Sequence, residues 1–315
     1  MKMAMVGSGG VGGYFGAGLS RGGADVHFIA RGAHLAAMRE RGLTIEGHGE
    51  PILLPKVQAT SDTASIGVCD LVVIGVKLWD TAAVLEQIRQ LVGPKTTIIS
   101  FQNGVTKRDL IRSANPGAHV MDGVAYVATT IDRPGVIRRT GPLERLIFGE
   151  IAGGPSVVGE QLLGIARKGG INAEVSTDVT REVWQKFVFL IGLSSTTTSM
   201  RSRIGPIRSN PQTRAFMLDV MREVVAVGRA LGVQLDADYA EQRLEFADGV
   251  SPDMTSSMHH DLERGNKLEL PWLSGAVVEL GAKAGIATPL NRAVRDILTL
   301  HSTGPHPERA SARNA

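Results

Sequence analysis

Short apolar runs alternate with stretches of helical periodicity through the first half of the chain. Such runs predict buried strands, because strands that are covered on both faces carry nearly continuous apolar residues. The predicted strands are KMAMVG (2–7), DVHFIAR (25–31), DLVVIGVK (70–77), TTIISFQNG (96–104) and later segments at 119–131, 136–151 and 172–177, with helices at 33–42, 79–93 and 156–170 and short strands with turns between 44 and 60. The alternation predicts a mostly parallel sheet with helices on both faces.

The second half of the chain has helical periodicity almost throughout. The predicted helices are 178–200, 211–231, 236–248, 253–264, 271–285 and 289–301. Asp178 is a residue type that commonly caps a helix N-terminus, and it opens the first of them. We therefore predict an α/β domain over 1–176, an all-helical domain over 177–302 and a disordered tail over 303–315.

Composition narrows the function classes. A chain of 315 residues is long enough for two domains. Its net charge of +3 is spread along the sequence, which argues against a nucleic-acid partner. The single cysteine, Cys69, lies beside an apolar run and is expected in the core. We find no signal-peptide pattern and no apolar run of the ~20 residues that cross a membrane, so we expect a cytoplasmic protein with a small-molecule partner and no membrane association.

The segment GSGGVG at 7–12 fits the pattern G-x-G-x-x-G. It follows a predicted strand and opens a predicted helix, which is the context that makes this pattern specific for a dinucleotide. Gly7 would allow the tight turn, Gly9 the close approach of a pyrophosphate, and Gly12 the close packing of helix on strand. Amide groups at the helix N-terminus would bind the phosphates, so the predicted cofactor-binding residues here are Gly7, Ser8, Gly9, Gly10, Val11 and Gly12.

The end of the second strand favours NADP(H) over NAD. An NAD site needs an acidic residue there to bind the ribose hydroxyls, whereas this strand ends in Arg31. A guanidinium can pair with a 2′-phosphate. Two further polar residues, Lys77 and Asn103, follow later strands, and ligands of open parallel sheets bind at the carboxyl ends of the strands. Each of the two could also be an ordinary strand-end or turn residue.

Lys186 lies between Trp184 and Phe187 in a helix that is predicted to be buried nearly all round. It could form a surface pair with Glu182, one turn earlier. It could equally be a desolvated general acid at the mouth of a cleft, because burial lowers the pKa of a lysine. The residues alone leave both interpretations open.

A polar cluster follows at 255–269. Adjacent histidines on a helix point about 100° apart and cannot easily share one metal ion, so we predict that His259 and His260 are solvated or capping residues and that no metal is bound. Glu263 is expected on the surface. Glu269 lies within the apolar segment LELPWL, where a carboxylate needs a partner; a substrate hydroxyl or Lys186 could serve, unless the residue is exposed on a turn.

Taken together, these segments resemble the ketopantoate reductase family over residues 3 to about 300. The segments that carry the resemblance are GSGGVG with Arg31, GVK at 75–77, FQNG at 101–104, WQK at 184–186, and the residues SSM, DLE, G and E between Ser256 and Glu269. The resemblance implies an N-terminal Rossmann domain, a helical C-terminal domain like that of 6-phosphogluconate dehydrogenase, and an active site between them. It also implies reduction of a 2-oxo acid with NADPH, in pantothenate biosynthesis.

Residue roles follow from the same resemblance. Lys186 would protonate the developing alkoxide, and Glu269 would hold the substrate hydroxyl and interact with the lysine. Ser257 would bind the substrate carboxylate. Asn103 and Lys77 would lie where cofactor and substrate meet, and Arg31 at the 2′-phosphate. A homodimer is a further expectation.

Two positions depart from the family pattern. Members commonly carry asparagines four and eight residues after the lysine, where this chain has Leu190 and Ser194. We keep Ser194 as a predicted substrate-binding residue. An apolar Leu190 removes a hydrogen bond and reshapes the pocket, so a reductase of a different small 2-oxo or hydroxy acid is the alternative. A non-catalytic NADP(H) sensor is a third, which Lys186 and Glu269 argue against because a sensor needs no acid.

Overall fold

The computed structural model describes residues 1–304. Their contacts divide into two units, one comprising Met1–Asn103 and Lys107–Glu182, and the other Gly104–Thr106 and the chain from Val183 onwards. The sequence placed the boundary between 176 and 177. The division instead falls within a helix that begins at Val179. Of the predicted disordered tail, residues 305–315 lie outside the described part of the chain.

The first unit is built on a single sheet. Its described strands are β1 (Lys2–Val6), β2 (Asp25–Ile29), β3 (Leu43–Gly47), β4 (Ile52–Leu54), β5 (Gln58–Thr60), β6 (Leu71–Ile74), β7 (Thr97–Ser100), β8 (His119–Arg133), β9 (Val136–Glu150) and β10 (Ala173–Val175). Their order is β4-β3-β9-β8-β7-β6-β1-β2-β5, with β10 on β9. Pairing is parallel except at β3–β4 and β8–β9, so the predicted mostly parallel sheet is confirmed.

Both faces of the sheet are buried. Side chains alternate between faces along a strand, and on β1 Met3 and Met5 belong to one apolar cluster while Ala4 and Val6 belong to another. The covering helices are α1 (Gly10–Arg21), α2 (Gly32–Arg41), α3 (Thr81–Gln87), α4 (Lys107–Ala114) and α5 (Val157–Lys168). The prediction of helices on both faces is thereby confirmed, and Cys69 is buried as expected.

The second unit is helical, as predicted. Helix α6 (Val179–Met200) enters it and is followed by α7 (Ile204–Ser209), α8 (Pro211–Ala230), α9 (Tyr239–Gly249), α10 (Ser257–Arg264), α11 (Ser274–Ala284) and α12 (Pro289–Leu298). The N–H of Arg181 donates to Asp178 Oδ1 at 3.0 Å, which confirms Asp178 as the cap of α6. Helices α6 and α8 pack closely, because a Cβ on Gly192 would lie 2.6 Å from Met221 Cγ and one on Gly228 would lie 2.8 Å from Trp184 Cε3.

Several predicted boundaries are wrong. The segment 79–93 is not one helix but a 3₁₀ turn at Leu78–Asp80, helix α3 and a second 3₁₀ turn at Ile88–Leu91. Helix α10 begins at Ser257 and not at 253, because Ser256 caps it through His259 N–H. Helices α4 and α7 were not predicted. Strands β2 and β6 end before Arg31 and Lys77, which therefore lie in the loops that follow.

Candidate functional site

The glycine-rich loop connects β1 to α1 in the first unit. The N–H groups of Gly7 and Ser8 donate to Ile29 O at 3.2 and 3.0 Å, which ties the turn to the end of β2. The first bond of α1 runs from Gly13 N to Gly9 O. The amides of Gly10, Val11 and Gly12 precede it, and such leading amides form an anion-binding helix N-terminus.

The three fingerprint glycines differ in their surroundings, and the predicted turn at Gly7 and close packing at Gly12 are confirmed. Gly7 has φ +89°, which favours glycine, and it packs against Val76. A Cβ on Gly12 would lie 2.3 Å from Gly7 O, so this glycine is needed for close packing. A Cβ on Gly9 would meet nothing within 4 Å. Gly9 therefore borders open space at the N-terminus of α1.

We expect Gly9→Ala and Gly12→Ala to separate cofactor binding from folding. Gly9→Ala should leave the melting temperature unchanged and weaken dinucleotide binding by about tenfold or more, because its methyl group would occupy the pyrophosphate position. Gly12→Ala should lower the melting temperature, since its Cβ overlaps backbone. Thermal unfolding and a titration of bound NADPH fluorescence measure both. Normal binding by Gly9→Ala would show that the loop does not hold a pyrophosphate.

Two side chains around the loop turn inward. Ser8 is buried, and its Oγ donates to Met5 O at 3.2 Å, so its hydroxyl supports the turn. His34, on α2, was not predicted. Its Nδ1 accepts from Gly135 N–H at 3.0 Å, which leaves the proton on Nε2 to donate to Ser8 O at 3.0 Å. Burial lowers the pKa of His34, and the neutral ring joins the loop to the β8–β9 turn.

Gly10 packs against β8. A Cβ at this position would lie 2.6 Å from Thr129 O. Close packing therefore explains why position 10 is a glycine. Its amide N–H nevertheless lies at the N-terminus of α1. Arg31 is exposed at the start of α2, and its Nη2 donates to Gln87 Oε1 at 3.3 Å. An exposed guanidinium held by a neutral amide remains available to an anionic ligand.

Lys77 and Asn103 are half-buried in neighbouring loops after β6 and β7. Lys77 Nζ lies 5.4 Å from the centre of the Trp79 ring. Gln102 joins the two loops, since its Nε2 donates to Val76 O at 2.9 Å and to Thr81 Oγ1 at 2.8 Å. The prediction that Lys77 and Asn103 follow strands of one parallel sheet is confirmed, whereas Gln102 was not identified from the sequence.

In the second unit, α6 is not buried all round as predicted. Val183, Trp184, Phe187 and Val188 are buried, whereas Lys186 and its neighbours one turn on, Phe189 and Leu190, are half-buried. Residues three and four apart lie side by side on a helix. Lys186 therefore lies on a half-buried face of α6 beside two apolar side chains.

Glu269 and Ser257 lie on segments that pack against α6. Glu269 is 6 % exposed, which rules out the alternative of an exposed turn residue. It shortly precedes α11, whose Ser274 Oγ lies 3.0 Å from Ser195 Oγ on α6. Ser257 is exposed at the N-terminus of α10, where free amides favour a carboxylate. The neighbouring cap, Ser256, places its Oγ 3.0 Å from Thr197 Oγ1 on α6.

Two other predicted polar residues are buried. Ser194 has no exposed surface, and its Oγ has no hydrogen-bond partner within residues 1–304. His259 was expected to be a solvated or capping residue, and the first alternative is wrong: it is 4 % exposed, with Nδ1 2.6 Å from Thr255 Oγ1, and burial lowers its pKa. His260 and Glu263 are exposed as predicted. No cluster of three or more metal-ligating residues occurs in the described part of the chain.

Comparison with known proteins identifies the family. The family model described as ketopantoate reductase PanE/ApbA matches residues 3–153, and its C-terminal counterpart matches residues 178–302. The chain belongs to the ketopantoate reductase family. A 2-dehydropantoate 2-reductase of Mesorhizobium japonicum is 31% identical over 93% of this chain and 95% of its own length.

Solved structures agree with this assignment. A PanE/ApbA family ketopantoate reductase from Ralstonia eutropha has a TM-score of 0.87 at 32% identity, covering 96% of this chain and 98% of its own. A D-mandelate dehydrogenase crystallised with NADH and anilino(oxo)acetate has a TM-score of 0.86, covering 96% of this chain and 98% of its own, but at 19% identity it shows only the shared fold.

As a ketopantoate reductase family member, the protein is a dinucleotide-dependent oxidoreductase with a Rossmann-like domain and a helical C-terminal domain. Three features are compatible with such a cofactor: the open space beside Gly9, the first amide groups of α1 and the exposed Arg31. No helix within residues 1–304 is both long enough and apolar enough to span a membrane.

Proposed function

We propose that this protein reduces 2-dehydropantoate (ketopantoate) to pantoate with NADPH, a step of pantothenate biosynthesis. The observation that carries the proposal is Lys186, which lies on a half-buried face of α6. The same chain has a glycine-rich loop at 7–12 that is suited to binding a dinucleotide. The curated relative from Mesorhizobium japonicum supports the same substrate. Reduction of a ketone needs a hydride at carbon and a proton at oxygen, and the two features match these needs.

The cofactor half of the proposal uses residues of the first unit. The amides of α1 and Gly9 would hold the pyrophosphate, and Arg31 would bind the 2′-phosphate. Lys77 and Asn103 would lie towards the nicotinamide and the substrate. When bound, NADPH supplies the hydride that converts the 2-oxo carbon to an alcohol carbon.

The proton would come from Lys186. A ketone that accepts a hydride carries negative charge on its oxygen, and a nearby ammonium stabilises this charge and then protonates it. Glu269 would accept a hydrogen bond from a substrate hydroxyl and orient the lysine. Ser257 would donate to the substrate carboxylate, helped by the N-terminus of α10. Ser194 has no exposed surface in this conformation, so its predicted contact with substrate would require the pocket to open.

Arg31→Ala tests the choice of cofactor. Removing a guanidinium that pairs with a phosphate should raise KM for NADPH roughly tenfold or more, because charged hydrogen bonds are about twice as strong as neutral ones. KM for NADH should not change, since NADH lacks the 2′-phosphate. Arg41→Ala is the matched control, because Arg41 is exposed on the same helix. Equal effects of Arg31→Ala on both cofactors would contradict the assignment.

A second candidate is reduction of a 2-oxo acid with a larger apolar side chain. Leu190 occupies the half-buried face beside Lys186, together with Phe189. The ring of Phe189 packs edge-to-face on Phe246 of α9 at 5.1 Å between centroids. Such an apolar surface favours hydrocarbon groups over the terminal hydroxyl of ketopantoate.

A substrate panel decides between the two candidates. Initial rates of NADPH oxidation are measured with ketopantoate, 2-oxobutyrate, 2-oxoisovalerate and benzoylformate, and the substrates are ranked by kcat/KM. The proposal expects ketopantoate to rank first. A tenfold or larger preference for 2-oxoisovalerate or benzoylformate would favour the second candidate. Tight NADPH binding without turnover of any 2-oxo acid would contradict both.

A further inference from the structure

Lys107 is a buried lysine to which the proposed function assigns no role. It is the first residue of α4, its side chain is 1 % exposed, and its Nζ donates to Gln102 O and Gly123 O, each at 2.7 Å. Asp122 Oδ1 lies 3.3 Å from the same Nζ. An ammonium has three N–H donors, and these three oxygens can accept all of them.

The partners of Lys107 connect to both loops of the cofactor half. Its bond to the carbonyl of Gln102 fixes the peptide plane that continues into Asn103, because the peptide unit is rigid. The side chain of Gln102 then donates to Val76 O at 2.9 Å, directly before Lys77. Asp122 on β8 is therefore connected to the loop that carries Lys77 by an ion pair to Lys107 and by two hydrogen bonds, from Lys107 to Gln102 and from Gln102 to Val76.

The same connections reach the glycine-rich loop. A Cβ on Gly7 would lie 2.5 Å from Val76 Cγ1, so the Val76 backbone and the turn of Gly7 are in close contact. The side chain of Gln102 is fully engaged as well, since its Oε1 accepts from Ser100 Oγ at 3.0 Å and its Nε2 also donates to the buried Thr81 at 2.8 Å. These residues leave the loop backbones little freedom to shift separately.

Burying a charged pair is costly for stability, and apolar side chains often fill such a position at least as well. Asp122 adds to this cost, because its Oδ2 is buried and has no hydrogen-bond partner within residues 1–304. Desolvation lowers the pKa of Lys107, and the Asp122 carboxylate opposes that shift. The buried Lys107–Asp122 pair is therefore better explained by the loop conformation that it specifies than by a contribution to stability.

We propose that Lys107 and Gln102 are positioning residues, which set the loops bearing Lys77 and Asn103 for hydride transfer. The inference rests on the proposed function for its effect on turnover, but the loop ordering itself does not depend on the substrate. Lys107 acts through Gln102, whose carbonyl it binds and whose side chain donates to Val76 O.

The test uses the full-length variants Lys107→Met, Lys107→Met/Asp122→Asn and Gln102→Met, with Lys95→Met as an exposed control. Removing Lys107 alone leaves a buried carboxylate unpaired and should lower the melting temperature. The double variant removes that charge and should recover much of the loss. We expect kcat to remain reduced about tenfold or more in the double variant and in Gln102→Met, with Kd for NADPH changed by less than about threefold.

Amide hydrogen exchange separates this inference from the proposed function. In the double variant, the peptide containing Val76 and Lys77 should exchange faster by about tenfold or more, because Gln102 connects Lys107 to Val76. Unchanged exchange in that peptide would overturn the inference even if the protein is a reductase. Wild-type kcat in the stabilised double variant would overturn it as well. If wild-type protein reduces no 2-oxo acid, the proposed function fails, and the exchange result still decides the positioning role.

Discussion

Lys186→Ala is expected to lower kcat for ketopantoate reduction by about 100- to 10,000-fold, the range that a positioned general acid contributes. The reason is that the alkoxide formed by hydride arrival would lose both its stabilising ammonium and its proton donor. Lys186 lies on the half-buried face of α6, so truncation opens no cavity in the core and the fold should persist. Steady-state kinetics and a parallel NADPH titration measure the effect.

Lys283→Ala is the matched control for this experiment, because Lys283 is an exposed lysine on α11 in the same unit. It should retain wild-type kcat. NADPH affinity should change by less than about threefold in Lys186→Ala, since the proposed phosphate contacts all lie in the first unit. Retention of wild-type kcat by Lys186→Ala would remove the lysine from the mechanism.

Glu269→Gln should reduce kcat/KM by about tenfold to a hundredfold. The amide keeps the shape of the side chain but removes the negative charge, so it can neither orient an ammonium strongly nor accept as strong a hydrogen bond from the substrate. Glu269 is buried, and an uncharged isostere at a buried position should not lower the melting temperature. The readout is kcat/KM for ketopantoate together with thermal unfolding.

The control for Glu269→Gln is Glu279→Gln, an exposed glutamate on α11. It should match the wild type in both measurements. A Glu269→Gln variant with normal kcat/KM would assign the buried carboxylate to the fold alone. A variant that unfolds at a lower temperature and also loses activity would have to be compared at a temperature where both proteins are fully folded.

Local chemistry made the conformation of the glycine-rich loop predictable from sequence. The roles of Gly7 and Gly12 follow from a strand, a turn and a helix that are adjacent in the chain, and the structure confirms the positive φ of Gly7 and the close packing at Gly12. Alternating apolar runs likewise predicted β1 and β6 correctly, because burial on both faces demands such runs.

Long-range partners could not be predicted in the same way. Lys107 is bound by Gly123 and Asp122 from β8, and no local sequence pattern predicts that pairing. One signal was present: Lys107 precedes the buried Ile111 by one turn of α4, which places a lysine on the core-facing side. His259 was misjudged for a similar reason, since its burial depends on packing that the polar segment around it does not reveal.

The most direct test of the account measures NADPH consumption and pantoate formation together, with purified wild-type protein and ketopantoate as the sole oxidant. We expect one pantoate to form per NADPH oxidised, with kcat/KM higher than for any other 2-oxo acid of the panel and higher than with NADH. Absence of pantoate, or a clearly higher kcat/KM for another 2-oxo acid or for NADH, would contradict it.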